Sequence, residues 1–435
     1  MNIFQKLKAS NKEHLAWYLY DFGNSAYAAV VLLAVYSAYF KGEVVGGAEG
    51  SRLWGISVGI AMLVVALTTP ILGAIADFSA SKKRFLLLAS SMTWIFTGLL
   101  FFVQKGNIIM GMVFFILAEI GYRGGQVFYN SLLPEIAEPE EMGRVSGNAW
   151  AIGSLGGILC LLILLPLIIS IKGTLIIRLS LVFTAVYFAI AAIPTFFWIK
   201  EKAQPKQLPE GKNYLTVGFS QLIDTIKSLG GYKDFVRFMI AFLIYNDGIL
   251  MALDFAAIIG AVLFGMKQEQ IIIFMIVVQV TSAIGAWAAG VAGNKIGYKH
   301  TLIISLALMI VAVTGMIFAK NQTHFYIIGA LAGLALTGVQ SISRTLIGYF
   351  APKGKSAEFY GLFAVTGRTS SFIGPTLYGF LAAQTAWWFE AQGMATLLAE
   401  QNGQRIAIGS IAIFLIVGLL VLLKVPDPTK KYLKP

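Results

Sequence analysis

Charge is scarce in this chain. Only 12% of its 435 residues are Asp, Glu, Lys or Arg, where an ordinary soluble domain carries about 25%. With 57% hydrophobic residues, a soluble fold could not cover itself in polar surface, so most of the chain is expected to face hydrocarbon. Cysteine is nearly absent too: Cys160 stands alone, which rules out an intramolecular disulfide. The three histidines, His14, His300 and His324, sit at the ends of apolar runs or in loops. No H-E-x-x-H is present, so a zinc protease has no support, and neither a histidine relay through the core nor a serine enzyme's base is available. A phosphate-cradling G-x-x-x-x-G-K-[S/T] loop is also missing, which leaves ATP-driven pumping without a basis. No metal or other cofactor is expected. The net charge of +12 is spread between apolar runs and forms no basic stripe, so nucleic acid is not the expected partner. No cleavable signal peptide is evident, because the apolar stretch from Trp17 is too long and lacks a small-residue cleavage site.

What the chain has in abundance is long apolar runs. A spanning helix needs about 20 mostly apolar residues. Twelve stretches qualify: 15–40, 53–77, 84–104, 107–133, 145–170, 176–199, 235–265, 268–293, 300–319, 323–350, 357–384 and 405–424. The expected fold is therefore an all-α integral membrane protein. Twelve spans place both termini on one side. That side carries 21 of the 33 Lys and Arg residues and the opposite loops eight, which predicts cytoplasmic termini and, for a bacterial chain, the inner membrane. The aromatic cluster "AWWFEAQG" at 386–393 reads as an interfacial belt on the outer side.

The longest cytoplasmic connection divides the spans six and six, giving domains of 1–199 and 234–435 joined by a linker at 200–233. Within the linker, Leu215, Phe219, Leu222, Ile223, Ile226 and Leu229 recur at helical spacing, which predicts an amphipathic helix on the membrane surface, serving as a strut. The halves also carry matching marks. "GAIADFSASKKRF" (73–85) corresponds to "GVAGNKIGYKHTL" (290–302). "GNAWAIG" (147–153) corresponds to "GLFAVTG" (361–367), and "GGQVFYN" (124–130) to "GVQSISR" (338–344). Their common order and similar offsets argue for a parallel repeat, the plan of many secondary transporters. GxxxG spacings such as Gly55–Gly59 predict close helix packing.

The twelve-span plan and the loop "GAIADFSASKKR" resemble the major facilitator superfamily. Within it, "WYLYDFGNSAY" (17–27), "YNDG" (245–248) and "VQSISR…AEFYGLFAVTGRTSSFIGP" (339–375) resemble the autophagy-related vacuolar-effluxer-like branch and its bacterial members. The resemblance implies two six-helix pseudo-repeat bundles and secondary transport. It also implies that Gly73, Asp77, Lys82, Lys83 and Arg84 form a cytoplasmic gate loop. The second half departs from that pattern by placing Asn294 where the first has Asp77, so a charge-dependent gate would be asymmetric. The branch's eukaryotic members are associated with amino-acid release from the vacuole, and a fold-level likeness transfers substrate identity weakly.

A charge at the bilayer centre costs about 2.5–3.5 kcal/mol on insertion scales, so polar residues inside spans need a reason. At about 100° per residue, Trp17, Tyr20, Asp21, Asn24 and Tyr27 share an arc of about 120°. In the fourth span Glu119, Tyr122, Arg123, Gln126, Tyr129 and Asn130 repeat the arrangement. In the second half, Asp247 and Asp254 share a face with Met251 between them, Gln340 and Arg344 share another, and Arg368 leads a polar cluster through Ser371. These stripes predict a polar cavity between the halves, lined by the first, fourth, seventh, tenth and eleventh spans. Trp17, Tyr20, Asn24, Tyr27, Tyr122, Arg123, Gln126, Tyr129, Asn130, Gln340, Arg344 and Arg368 are its expected substrate contacts.

Several plainer readings stand beside this one. Asp21 could neutralise Arg123 and fix helix packing. Glu119 and Arg123 are four apart and could pair along their own helix. Asp254 could be solvated near a helix end, and the tyrosines could be packing residues with wet tips. A buried carboxylate resists ionisation, and a neighbouring arginine opposes that effect. A carboxylate freed from its arginine as the halves rock would thus exchange a proton with the motion. The candidates for that coupling are Asp21, then Asp247, then Glu119. Sodium is the other ion that carboxylates and carbonyls could hold. Both charge signs beside amides and aromatics suit a zwitterion, an amino acid or small peptide, carried by an alternating-access monomer. Cell-wall fragments, sugars and nucleosides are alternatives. A membrane-embedded enzyme or a non-transporting sensor forms the rival class, though no loop is large enough for a signalling domain.

Overall fold

The computed structural model describes residues 3–137, 142–171, 173–202, 216, 220, 231–350, 363 and 372–427. They are almost wholly helical, with no strand among them. In chain order the long helices are α1 (Ile3–Tyr27), α2 (Gly47–Phe78), α3 (Lys82–Leu99), α4 (Ile108–Ser131), α5 (Met142–Ser170) and α6 (Thr174–Trp198). After the linker come α7 (Lys233–Phe264), α8 (Gln268–Ile296), α9 (Tyr298–Phe318), α10 (Gln322–Phe350), α11 (Ile373–Ala391) and α12 (Thr396–Leu423). Eleven helical stretches among the described residues are long and apolar enough to cross a membrane. The expected span at 357–384 is described only in part, as Phe363 and from residue 372 onward. The predicted strut at 215–229 lies outside the described residues apart from Thr216 and Ser220.

Two features fit hydrocarbon as the solvent. Large apolar side chains such as Leu67, Leu88, Ile109, Phe197, Trp287 and Phe318 are exposed, a costly surface in water and a natural one in lipid. Many hydroxyls along the spans bond within their own helices, as where Thr93 donates to the carbonyl of Ala89 at 3.1 Å and Thr184 to that of Ser180 at 2.7 Å. Without water an unpaired polar group is costly, which favours such local partners.

Packing gathers the helices into two units, residues 1–36 with 61–227 and residues 37–60 with 228–435. In the first unit Gly121 of α4 meets α3, where an added Cβ would fall 2.6 Å from the Ala89 carbonyl oxygen and 2.8 Å from the Thr93 nitrogen. In the second, Gly338 of α10 meets α9 in the same way, its Cβ position 2.6 Å from Ser305 Oγ.

The first span is not a continuous α-helix. It passes into π-helical turns at Ala28–Ala34 and again at Phe40–Val45, with one α-turn, Tyr36–Tyr39, between them. The Val35 amide donates to the carbonyl of Val30 at 2.8 Å, and that of Gly46 to Lys41 at 2.9 Å. Gly46, at φ +81°, ends the run in a conformation open to glycine. The segment 37–60 is tied into the second unit by polar contacts. Lys41 Nζ meets Glu400 Oε2 at 2.5 Å, Gln404 donates to Ser51 Oγ at 2.9 Å, and Trp54 Nε1 donates to the Asp254 carbonyl at 2.8 Å. The Gly55–Gly59 pair packs as its spacing predicts: Gly55 lies against Pro375 and Gly379 and Gly59 against Thr376 of α11.

Candidate functional site

Within the first unit, α1 and α4 bring their polar stripes together. The Trp17 ring stacks on Tyr129 with centroids 4.5 Å apart, Tyr20 stacks on Tyr129 at 4.8 Å, and Tyr27 stacks on Tyr122 at 4.5 Å. Hydrogen bonds lock the stack in register. Trp17 Nε1 donates to the Tyr129 carbonyl at 3.1 Å, and the Tyr129 hydroxyl donates to the Trp17 carbonyl at 3.0 Å. The Tyr20 hydroxyl shares a hydrogen bond with Ser90 Oγ at 2.8 Å. These tyrosines are buried, and the hydroxyls of Tyr20, Tyr27 and Tyr129 bond within the protein.

Glu119 is fully buried, at 0% exposure, and is held from two sides. Arg123 Nε donates to its Oε1 at 2.7 Å along α4, and the Tyr27 hydroxyl donates to its Oε2 at 3.0 Å from α1. The guanidinium also lies 5.3 Å over the Tyr122 ring, a favourable cation–π placement. The within-helix pairing foreseen for Glu119 and Arg123 is thus present, and Tyr27 makes it an inter-helix tie. Asp21 also lies against α5. It is half-buried, and a Cβ at Gly153 of α5 would fall 2.5 Å from its Oδ2 and 3.1 Å from Ser25 Oγ. A larger residue there would push the carboxylate aside. Asn24 is buried, Gln126 is half-buried, and Asn130 is exposed at the end of α4.

In the second unit, α7 and α10 pair in a related manner. Gln340 Nε2 donates to Asn246 Oδ1 at 3.0 Å, and the Tyr245 hydroxyl shares a hydrogen bond with Ser343 Oγ at 2.7 Å. Asp247, Met251 and Asp254 are buried on α7. The solvated reading of Asp254 does not hold, since it is 2% exposed in the interior of a 32-residue helix. Gly374 of α11 approaches the same face, its Cβ position 3.1 Å from the Asp247 carbonyl oxygen and 2.9 Å from Met251 Cγ. Arg344 is exposed, and Arg368 lies outside the described residues.

The residues of the expected gate loop do more than link two helices. Lys82 Nζ binds Glu135 Oε1 at 2.9 Å and the Ser131 carbonyl at 3.3 Å. Lys83 Nζ reaches the Ile199 carbonyl at 2.5 Å, and its amide donates to Glu201 at 2.9 Å. The Lys200 amide donates to Glu13 at 3.1 Å and that of Lys202 to Glu135 at 2.9 Å. This network ties the start of the linker to Glu13 of α1, to the first turn of α3 and to Glu135 just beyond α4. Ala80 takes a left-handed φ of +46° in the turn. Gly73 is half-buried and Arg84 exposed, while Asp77 and Asn294 are described only as helical backbone. Glu13, Glu135 and Glu201 escape a reading of the sequence because each lies outside the apolar runs, where an acidic residue reads as ordinary solvated surface. Asn246 escapes it too, although "YNDG" is singled out around it.

The comparisons with known proteins fit this architecture. Residues 53–431 match the family model described as vacuole effluxer Atg22 like. The uncharacterized MFS-type transporter YxiO of Bacillus subtilis (strain 168) is 25% identical over 434 residues, 97% of each chain. Autophagy-related protein 22 of Yarrowia lipolytica is 27% identical over 270 residues, 56% of this chain and 46% of that protein. Among solved structures, a bacterial homolog of the human lysosomal transporter Spinster superposes with a TM-score of 0.69 at 13% identity, over 99% of both chains. The D-xylose-proton symporter gives 0.66 at 13% identity, over 98% of this chain and 99% of that one. At such identities these structures speak for the fold alone, which is that of the major facilitator superfamily.

Proposed function

Since this chain belongs to the Atg22-like vacuole effluxer family and is a membrane transporter of the major facilitator type, we propose that it moves a small polar or zwitterionic solute by alternating access, with proton coupling. An amino acid or small peptide is the favoured cargo. The observation that carries this reading is the stripe on α1 and α4, where two carboxylates, one guanidinium and a buried amide share a wall of stacked aromatic rings. Such a wall offers a partner to both poles of a zwitterion and an apolar plane to the carbon between them.

The residues divide the work by geometry. Glu119, bound by both Arg123 and Tyr27, holds the guanidinium in place so that its charge stays aimed at the stripe. Asp21 is half-buried and is the first candidate for the coupling proton, with Asp247 the second and Glu119 the third. Sodium is the alternative ion. The protein would act as a monomer in the bacterial inner membrane with both termini in the cytoplasm.

The test is a thermal-stability screen of purified wild type beside Asp21→Asn, at two pH values, across amino acids, short peptides, muropeptide-like compounds, nucleosides and sugars. A ligand that binds only the folded state raises the melting temperature by mass action. The expected result is a shift with amino acids or peptides that depends on pH in the wild type and not in the variant. Stabilisation by nucleosides or sugars alone would replace the zwitterion reading. In liposomes, pH-gradient-driven uptake that survives Asp21→Asn unchanged would remove Asp21 from the coupling role.

A further inference from the structure

Asn24 stands apart from Trp17, Tyr20, Tyr27, Glu119, Arg123 and Tyr129, whose polar atoms are engaged. Tyr20, four residues before it, and Tyr27, three after, lie on the same side of α1, and both rings lean on tyrosines of α4. Asp21, three residues before, leans on Gly153 of α5. The Asn24 side chain therefore occupies the arc of α1 between α4 and α5. It is 4% exposed, and its Oδ1 is buried without a hydrogen-bond partner among the described residues. Opposite, between Tyr122 and Tyr129, α4 places Gly125 and the half-buried Gln126. Gly125 fills no space there, and a Cβ on it would come within 3.2 Å of the Tyr20 hydroxyl.

A buried amide oxygen without a donor is unfavourable, and the cost is relieved when a donor arrives. The charges on this face select the kind of donor. Asp21 lies within one turn of Asn24, and Glu119 lies on the facing helix with its oxygens shared between Arg123 and Tyr27. Two carboxylates against one guanidinium leave the surroundings of Oδ1 net negative, which favours an N–H that carries positive charge.

We propose that Asn24 Oδ1 accepts a hydrogen bond from the protonated amino group of the transported solute, making Asn24 a specificity-determining residue. The assignment rests on the zwitterion reading above and adds to it which atom receives the cationic pole. It makes the free amino group a requirement: a solute with the same carbon skeleton and carboxylate but no ammonium leaves Oδ1 buried and unpaired. Discrimination of this kind is strong because the loss falls on a buried polar group.

The experiment titrates melting temperature for the purified full chain in nanodiscs, as wild type, Asn24→Leu and Asn24→Asp. The probes are the twenty amino acids, each beside its N-acetyl derivative and its deaminated acid. Amino acids that stabilise the wild type should need at least about tenfold higher concentration with Asn24→Leu. Asn24→Asp, which keeps an acceptor at the same place, should stay within about threefold of the wild type. N-acetyl and deaminated probes should not stabilise the wild type. Without ligand, Asn24→Leu should melt no lower than the wild type, since it removes an unsatisfied amide oxygen. Equal amino-acid binding by wild type and Asn24→Leu, or equal binding of free and N-acetylated probes, overturns the assignment while leaving the zwitterion reading intact. If no amino-bearing probe binds the wild type, both fall together.

Discussion

Replacing Lys41 by methionine should cost more stability than any single change on the surface of this protein. The ammonium lies 2.5 Å from Glu400 Oε2, and both side chains are only 10% exposed. At that separation the Coulomb attraction is about 7 kcal/mol for an effective dielectric of 20. Desolvating two ions cancels much of it, so the intact pair adds little net stability. Removing one partner leaves the other buried and uncompensated, which costs about 3–5 kcal/mol. Lys41→Met and Glu400→Leu should therefore each lower the melting temperature sharply, and the double variant should recover most of the loss. The assay is a double-mutant cycle by thermal melting in nanodiscs at a fixed scan rate and pH 7. A Lys41→Met variant that melts with the wild type would refute the reasoning. So would a double variant no better than the worse single, because the cost would then lie in packing around the aliphatic stems and not in charge.

Four further outcomes follow from contacts described above. Tyr27→Phe removes a hydrogen bond to a buried carboxylate and should destabilise by about 1.5–3 kcal/mol, measured as a loss in melting temperature that Glu119→Gln largely absorbs when the two are combined. Gly121→Val should destabilise by at least about 2 kcal/mol, since the new side chain meets the backbone of Ala89 and Thr93; normal melting would mean that α3 and α4 are free to separate. Gln340→Leu should cost about 0.5–1.5 kcal/mol by removing its hydrogen bond to Asn246 Oδ1, read as a drop in melting temperature. Ala80→Gly relieves a left-handed residue and should leave stability equal or higher by about 1 kcal/mol; a clear loss would show that the turn depends on the alanine methyl.

Legibility from sequence followed the range over which each interaction acts. The stripes on α1 and α4 were visible because helical period alone places Trp17, Tyr20, Asn24 and Tyr27 on one side. The Glu119–Arg123 pair was visible because four residues make one turn. The tie from Tyr27 to Glu119 crosses 92 positions, and that from Lys41 to Glu400 crosses 359. No local pattern encodes such partners, and Lys41 read simply as the end of a span. Asn246 was hidden for a related reason: its meaning depends on Gln340, and each amide alone looks like any polar residue in a helix. The eleven spanning stretches were legible because a bilayer imposes one length and one composition on each. The course of the first span was not, since "AAVVLLA" has no proline or glycine to announce a change of helix type.

That course has a consequence for how the first span tolerates length changes. A π-turn holds more residues than the α-turn it replaces, so the Ala28–Ala34 segment rotates everything after it out of phase with the stripe before it. Tyr36, whose hydroxyl donates to the Gly111 carbonyl at 2.9 Å, points at α4 because of that rotation. Deleting one residue from 28–34 would remove the surplus and let the backbone relax to an ordinary α-helix with Tyr36 still turned toward Gly111, whereas a deletion in a regular α-turn swings everything after it by about 100°. The π-turns thus work as a phase shifter, letting one helix present differently oriented faces along its length.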